Sequence, residues 1–484
     1  MTLKLFNTLT RSLQEFAPSA AGIKKTGMYC CGPTVYDFAH IGNWRTFVFA
    51  DLVRRTLEFC GGDVQHVMNI TDVEDKIIKR VQENKISLRE FTGKFEAAFF
   101  EDMKALNCLP PHQTPRATEH IPEIIALIEK LVARGVAYRA GDGSVYFSIE
   151  KYRGCGCTYG QLQKLNLEEL RVGERVATDE YDKESVADFA LWKARVPEDG
   201  EVFWPSPWGE GRPGWHIECS AMSMKALGET FDLHLGGEDL KFPHHEDEIA
   251  QSEGATGKPF VKHWLHGSHL LVEGKKMSKS LGNYFTLRDL LAKGFTGREV
   301  RCLLLMAHYR ETFNFTMDGL QGAKIALARI DECVGKLREV AAPASGITRS
   351  TETESLKSAV PAAGAPAEWV ANFSAALADD LNVSAAWAAV FEWVRETNKR
   401  LANNSLSAAE ASAALAAWEK VDTVLAVGAG AEAEIPAEIL ALLNDRQTAR
   451  KARDFKQSDA IRDELKAKGW VIEDTPNGPK LKKL

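Results

Sequence analysis

The chain contains no run of eighteen apolar residues, which argues against a membrane-spanning helix of ordinary length. Its first residues, Met1-Thr2-Leu3-Lys4-Leu5-Phe6-Asn7-Thr8, lack the apolar core and small-residue cleavage site of a secretory leader. A soluble, cytoplasmic protein is expected. Cysteine is sparse: nine in 484 residues, an odd count scattered from Cys30 to Cys333, which does not make a secreted disulfide framework. Reduced thiols and a metal fit this usage better. There is no excess of positive charge either. A net charge of −7 argues against general coating of nucleic acid, although an acidic total can hide a basic face. What is present, 45% hydrophobic and 26% charged residues, is the balance of an ordinary folded chain. Its length suits roughly two to four domains.

Two short stretches carry groups suited to a triphosphate. His40-Ile41-Gly42-Asn43 follows a predicted strand, Gly27 to Cys31, and a Gly32-Pro33-Thr34 turn, and leads into an amphipathic run from Trp44 to Phe59. A turn opening onto a helix start favours anions, because free backbone N–H groups and the positive end of the helix dipole face the ligand. Far downstream, Lys276-Met277-Ser278-Lys279-Ser280 lies in a Gly- and Lys-rich loop from Glu273 to Asn283. Its lysines act as point charges and its glycines permit movement, so the loop is able to close over phosphate.

Strand-like and helical segments alternate from Gly27 to Asp75, with Val64 to Ile70 as a second strand, which predicts a βαβ unit. Helices are expected over Leu88 to Asn107 and His120 to Gly135, followed by a hairpin at Gly141-Asp142-Gly143-Ser144. From Val136 to Gly211 the pattern is turn-rich and irregular and reads as an insertion. Phe231 to Leu235 and Trp264 to His266 read as later strands of the first sheet. A split Rossmann-like α/β fold is the simplest account, with ligands at the carboxyl ends of its strands. Beyond about Phe315 the spacing becomes helical, as in Leu320 to Val340 and Ala378 to Leu401, and predicts a bundle. Ala341 to Pro366 reads as a mobile linker. A break at Val427-Gly428-Ala429-Gly430 sets off a small terminal module. From Arg446 onwards that module has eleven Lys/Arg against six Asp/Glu. This is either a solvated charged helix or an RNA-facing surface.

His244 and Glu248, four residues apart, share one face of a helix. With Cys31 and Cys219 they make one possible metal set among several, since Cys30 and the Cys155-Gly156-Cys157 pair also offer thiols. Buried apolar roles for these cysteines are the plain alternative.

In that order, the two phosphate-suited stretches resemble the paired ATP signatures of class I aminoacyl-tRNA synthetases. Met28-Tyr29-Cys30-Cys31-Gly32-Pro33-Thr34-Val35-Tyr36-Asp37, Gly214-Trp215-His216-Ile217-Glu218-Cys219-Ser220 and Gly236 to Glu248 resemble the cysteinyl-tRNA synthetase family in particular. The likeness spans essentially the whole chain. It departs from the general class pattern at Asn43, where a second histidine is usual.

The resemblance implies ATP-dependent activation of L-cysteine with release of pyrophosphate, then transfer to the 3′ end of tRNA(Cys), by a monomeric enzyme. It implies one zinc ion held by Cys31, Cys219, His244 and Glu248, with Cys30 excluded by register, and ATP as substrate with Mg2+. Such a metal offers a basis for separating cysteine from serine, since it favours a thiolate over a hydroxyl. The resemblance further implies that His40, Asn43, Lys276 and Lys279 act in catalysis, and that His40, Gly42, Asn43, Asp239 and Lys279 bind ATP. Thr34, Trp215 and His234 are placed around the amino acid. The expected domains are a catalytic domain over 1–135 and 212–270, a connective insertion over 136–211, a signature-loop and stem-contact region over 271–315, a tRNA-binding bundle over 316–426 and an anticodon module over 431–484. A cysteine ligase acting on a small amino sugar, as in mycothiol synthesis, keeps the same motifs but lacks the full tRNA-reading extension. A catalytically silent RNA-binding relative is a further alternative, against which the intact motifs count.

Overall fold

The computed structural model describes residues 2–17, 25–163, 188–342, 365–429, 436–475 and 478–483. At its centre is a parallel four-stranded sheet in the order Val261–Gly267, Phe231–Gly237, Thr26–Cys30, Val64–Met68. Thr26–Cys30 is buried along its whole length, as a strand covered on both faces must be. The helix Ile41–Phe59 crosses from it to Val64–Met68 and buries Trp44, Phe47, Val48, Leu52 and Val53. The chain leaves Thr26–Cys30 towards one edge of the sheet and leaves Phe231–Gly237 towards the other. The crevice between these neighbours is therefore a switch point, where parallel sheets bind ligands.

The helices expected after the second strand are present as Leu88–Ala105 and Ile121–Ala133. The insertion corrects the sequence reading. Its described part is a four-stranded antiparallel sheet, Ala137–Arg139, Val145–Phe147, Phe189–Ala194 and Gly211–Pro213, with a short helix Ile149–Gly154. The expected hairpin at Gly141-Asp142-Gly143-Ser144 is there, joining the first two strands, but strands of three residues are too short to show a period and the second pairs with Phe189–Ala194, far along the chain. A second hairpin, Leu3–Asn7 with Ser12–Phe16, was not anticipated. A three-stranded sheet of Lys275–Lys276, Leu270–Val272 and Phe313–Phe315 underlies the lysine-rich loop.

The helical region contains Met317–Ala341, Ala365–Ala378, Val383–Ala402 and Ala408–Leu425. The single helix expected over Ala378 to Leu401 is broken at Asp380 and Leu381, both with φ of 55°. The reason is tertiary. Asp380 accepts hydrogen bonds from Phe6 N–H (2.8 Å), Tyr309 hydroxyl (2.6 Å) and Arg310 Nε (2.6 Å), and so locks the turn. Trp369, Trp393 and Trp418 stack in series within this region. Its core is continuous with that of the parallel sheet. The buried Arg301 fastens the two, donating to Leu425 O at 2.6 Å and Asp51 Oδ2 at 2.6 Å. The linker expected over Ala341 to Pro366 lies almost wholly outside the described residues.

Met1–Val427 and Gly428–Leu484 form separate compact units. The second has two helices, Ala437–Lys451 and Phe455–Ala467, and the strand pair Trp470–Thr475 and Gly478–Lys483. Ile439, Ile461, Leu465 and Trp470 form its core. No helix among the described residues is long and apolar enough to cross a membrane.

Candidate active site and metal cluster

A cavity of about 620 Å³ opens at the switch point, a volume suited to a small ligand with a nucleotide. Its wall includes Thr34, His40, Asn43, Trp215 and Asp239. The chain turns into this wall at Gly32. A Cβ there would overlap the carbonyl oxygen of Asn69, so the close approach admits only glycine. Asn69 Oδ1 accepts from Gly32 N–H at 2.9 Å and holds the turn.

His40 caps the helix Ile41–Phe59. Its Nδ1 accepts from Asn43 N–H and its own N–H donates to Asn43 Oδ1, each at 3.1 Å, a reciprocal pair of the capping-box type. Burial holds the imidazole below its ordinary pKa. A neutral ring that accepts at Nδ1 must carry its proton on Nε2, and that N–H is left for an anion. Asn43, the departure from the class pattern, thus orders the histidine and retains its own amide donors. A Cβ at Gly42 would lie 3.0 Å from the His40 ring and 3.3 Å from Met277 Cε, so glycine lets the lysine-rich loop approach this helix start.

Beneath Trp215 lies a buried cluster. Cys31, Cys219, His244 and Glu248 each offer a donor atom within 4.8 Å of every other. Cys31 Sγ stands 3.8 Å from Cys219 Sγ and 3.5 Å from both His244 Nε2 and Glu248 Oε1. His244 Nε2 is 3.1 Å from Glu248 Oε1. A second set, Cys31, His234, His245 and Glu248, shares two of these residues. Burial pushes the Cys31 thiol up, while the hydrogen bond from Cys31 brings Cys219 down to about 6. Burial alone would raise Glu248, but His234 and His244 more than offset it and hold the carboxyl at about 2. Burial alone would lower His244, but Cys219 and Glu248 more than offset it and hold the imidazole up at about 10, so that its charge answers the two acidic donors, a role that a divalent cation fills as well. Thiol, thiol, imidazole and carboxylate together make a buried donor set compatible with zinc.

Residues 18–325 match the family described as tRNA synthetases class I (C) catalytic domain, 372–427 the DALR domain and 432–478 the cysteinyl-tRNA ligase anticodon binding domain. The chain is 47% identical over 484 residues to a cysteine–tRNA ligase of Chlamydia felis, covering 100% of this chain and 98% of that protein. It is 46% identical to that of Chlamydia muridarum, covering 100% of both. The chain belongs to the cysteine–tRNA ligase family. Its fold also resembles that of Mycobacterium tuberculosis methionyl-tRNA synthetase bound by methionyl-adenylate, with a TM-score of 0.57, 15% identity and coverage of 84% of this chain and 89% of that one. An Agrobacterium radiobacter K84 LeuRS–tRNA complex gives a TM-score of 0.56 at 11% identity, covering 85% of each chain.

Within this ligase-family chain the other expected residues fall into two groups. Trp215 stacks on the His244 ring at a centroid distance of 4.5 Å and joins cavity wall to cluster. Lys279 stands at the cavity rim, its Nζ 2.8 Å from Asp37 Oδ2 and 5.0 Å from the Tyr284 ring centroid. Lys276 is exposed on its short strand and is not on the cavity wall. His234 is fully buried behind the cluster and also off the wall. Its Nε2 lies 2.9 Å from Glu248 Oε2, where it orients the carboxylate.

Sequence reasoning did not single out several neighbours. His216 Nδ1 lies 2.8 Å from His244 Nδ1. His245 Nδ1 meets His266 Nε2 at 2.8 Å, and His266 Nδ1 meets Thr8 Oγ1 at 2.8 Å. Tyr284 packs edge-on to His40, and Lys193 of the insertion sheet lines the cavity and pairs with Asp75 at 3.0 Å. The histidine abundance between His216 and His266 was the available signal. Nothing local marked Lys193, which arrives from an insertion strand.

Proposed function

We propose that this chain activates L-cysteine with ATP to cysteinyl-adenylate, releasing pyrophosphate, and transfers the cysteinyl group to the 3′ end of tRNA(Cys). The observation that carries this reading is the full-length identity to cysteine–tRNA ligases together with a thiol-rich cluster directly under the cavity. The match of residues 432–478 to the family's anticodon-binding domain supports a tRNA acceptor over a small amino sugar.

Cys31, Cys219, His244 and Glu248 hold one zinc ion, with His234 and His216 fixing the orientation of Glu248 and His244. When bound, the ion supplies a soft Lewis acid that favours the thiolate of cysteine over the hydroxyl of serine. The apolar alternative, a shaped pocket, resolves atoms of similar size by only about 1 to 3 kcal/mol. Trp215 and Thr34 flank the amino acid. Asp239, on the same wall as His40, contacts the ribose.

The reaction needs charge stabilisation and alignment rather than a protein nucleophile. The Nε2–H of His40 and the amide of Asn43 donate to phosphate oxygens at the helix start, where the free N–H groups and dipole favour anions. Lys279 closes from the rim on the β- and γ-phosphates, with Lys276 assisting from the loop, and ATP arrives with Mg2+. The helical region 316–426 and the module 431–484 hold tRNA, and the region 271–315 meets its acceptor stem. The protein acts as a cytoplasmic monomer.

The test is transfer of labelled cysteine to unfractionated tRNA by zinc-replete protein with ATP, with serine in parallel. Charging with cysteine alone is expected. Cysteine-dependent ATP–pyrophosphate exchange without any tRNA charging would instead favour the small-acceptor ligase.

A further inference from the structure

One carboxylate stands where the proposed reading puts the outer phosphates. Asp37 lines the cavity three residues before His40. Its Oδ2 lies 2.8 Å from Lys279 Nζ and 3.7 Å from an Arg80 guanidinium nitrogen. Arg80, on the helix Asp75–Asn84, is itself aimed by donating to Tyr36 O at 2.7 Å. Asp37 Oδ1 accepts from Phe38 N–H at 2.9 Å, which fixes the side chain. Tyr284 lies between Lys279 and His40, with ring contacts to both. Two cations from separate segments, one on the lysine-rich loop and one on a helix outside every motif, thus converge on a single acid beside the capped helix start.

We propose that Asp37 is a positioning residue that occupies the polyphosphate's place, holding Lys279 and Arg80 at the cavity rim until ATP displaces it and taking both back when pyrophosphate leaves. This rests on the ATP reading above and adds Arg80 as a second phosphate-binding cation at the rim. A carboxylate in this position competes with phosphate for the same donors. It keeps the loop near its working position between turnovers, and it weakens the grip on the product. Exposed pairs of this kind are modest, so the competition corresponds to roughly a threefold effect on an equilibrium.

The test uses the full-length, zinc-replete protein and compares Asp37→Asn, Arg80→Gln and Lys279→Ala in cysteine-dependent ATP–pyrophosphate exchange. Asparagine keeps the oxygen that accepts from Phe38 and removes the charge. Asp37→Asn is expected to lower KM for ATP about threefold and to tighten product inhibition by pyrophosphate by a similar factor. Arg80→Gln is expected to raise KM for ATP about threefold without changing KM for cysteine. Calorimetric binding of cysteine without ATP reports that each variant is folded. A higher or unchanged KM for ATP in Asp37→Asn overturns the proposal, since a purely structural or idle carboxylate gives those signs. If Lys279→Ala leaves exchange intact, the phosphate reading of the loop fails instead, and the two failures are distinguishable.

Discussion

The floor and the rim of the cavity are built by opposite physical means. At the floor, Cys31, Cys219, His244 and Glu248 are all buried, and hydrogen bonds fix their neighbours: His216 to His244, His234 to Glu248 and His245 to His266. At the rim, Lys279 has 65% of its side chain exposed and reaches the cavity through one carboxylate. Groups in a dry pocket interact strongly and are little affected by salt, whereas an exposed pair is weak and screened. On the proposed function, the floor serves the choice between sulfur and oxygen, which needs fixed donors, and the rim serves a charge that arrives and departs in each cycle.

The largest effect expected is at the floor. Cys219→Ser should weaken zinc binding by about a hundredfold or more, because the replacement removes a thiolate from a four-donor set. Metal analysis after dialysis and cysteine charging should fall together; charging that survives loss of the metal would break the contrast. Lys279→Ala comes next. Activation should fall about a hundredfold, in line with removal of a charge-stabilising donor, while cysteine binding without ATP changes little. Equal losses in both would mean that the rim is not separable from the floor.

Trp215→Ala tests the residue that joins them. Loss of its stack on His244 should raise KM for cysteine about tenfold, on the scale of an aromatic contact with its buried area, with a smaller change in KM for ATP. Ionic strength gives a milder probe. Between about 0.05 and 0.3 M salt, KM for ATP should rise severalfold while the affinity for cysteine stays nearly constant.

The smallest effect concerns pH. Burial alone would raise the Asp37 carboxyl, but Lys279 and Arg80 hold it below its ordinary value. A depressed carboxyl stabilises the folded arrangement above its unfolded pKa, about 3.9, and the contribution fades as pH falls through the lower folded value. After solvent screening it amounts to under about 1 kcal/mol. Hydrogen-exchange protection of residues 276–283, corrected for intrinsic rates, should therefore be constant from pH 7 to 5 and decline below about 4. A decline already near pH 6 would point to histidine control.

Much of the site was legible in the residues because its elements are locally encoded. His40-Ile41-Gly42-Asn43 marks a helix start through capping chemistry, and the structure contains that cap. The parallel strands were readable as short apolar runs. Of the insertion only the hairpin at Gly141–Ser144 was readable, joining Ala137–Arg139 to Val145–Phe147; the sheet as a whole was not, since Val145–Phe147 pairs with Phe189–Ala194 more than forty residues on. The broken helix at Asp380 was missed for a related reason: its left-handed turn is held by Phe6, Tyr309 and Arg310, all distant in the chain.

By itself the sequence determined the α/β alternation, the helical bundle and a short list of sulfur, imidazole and carboxylate donors, because those follow from local periodicity and residue type, and its motifs carried the resemblance to the family. Only the tertiary structure brought the four donors implied by the resemblance into one buried cluster, set His234 behind Glu248, and put Asp37 within reach of the largely exposed Lys279. Such contacts join residues as far apart as 37 and 279, and distance in space between remote segments is set by the packing of the whole core.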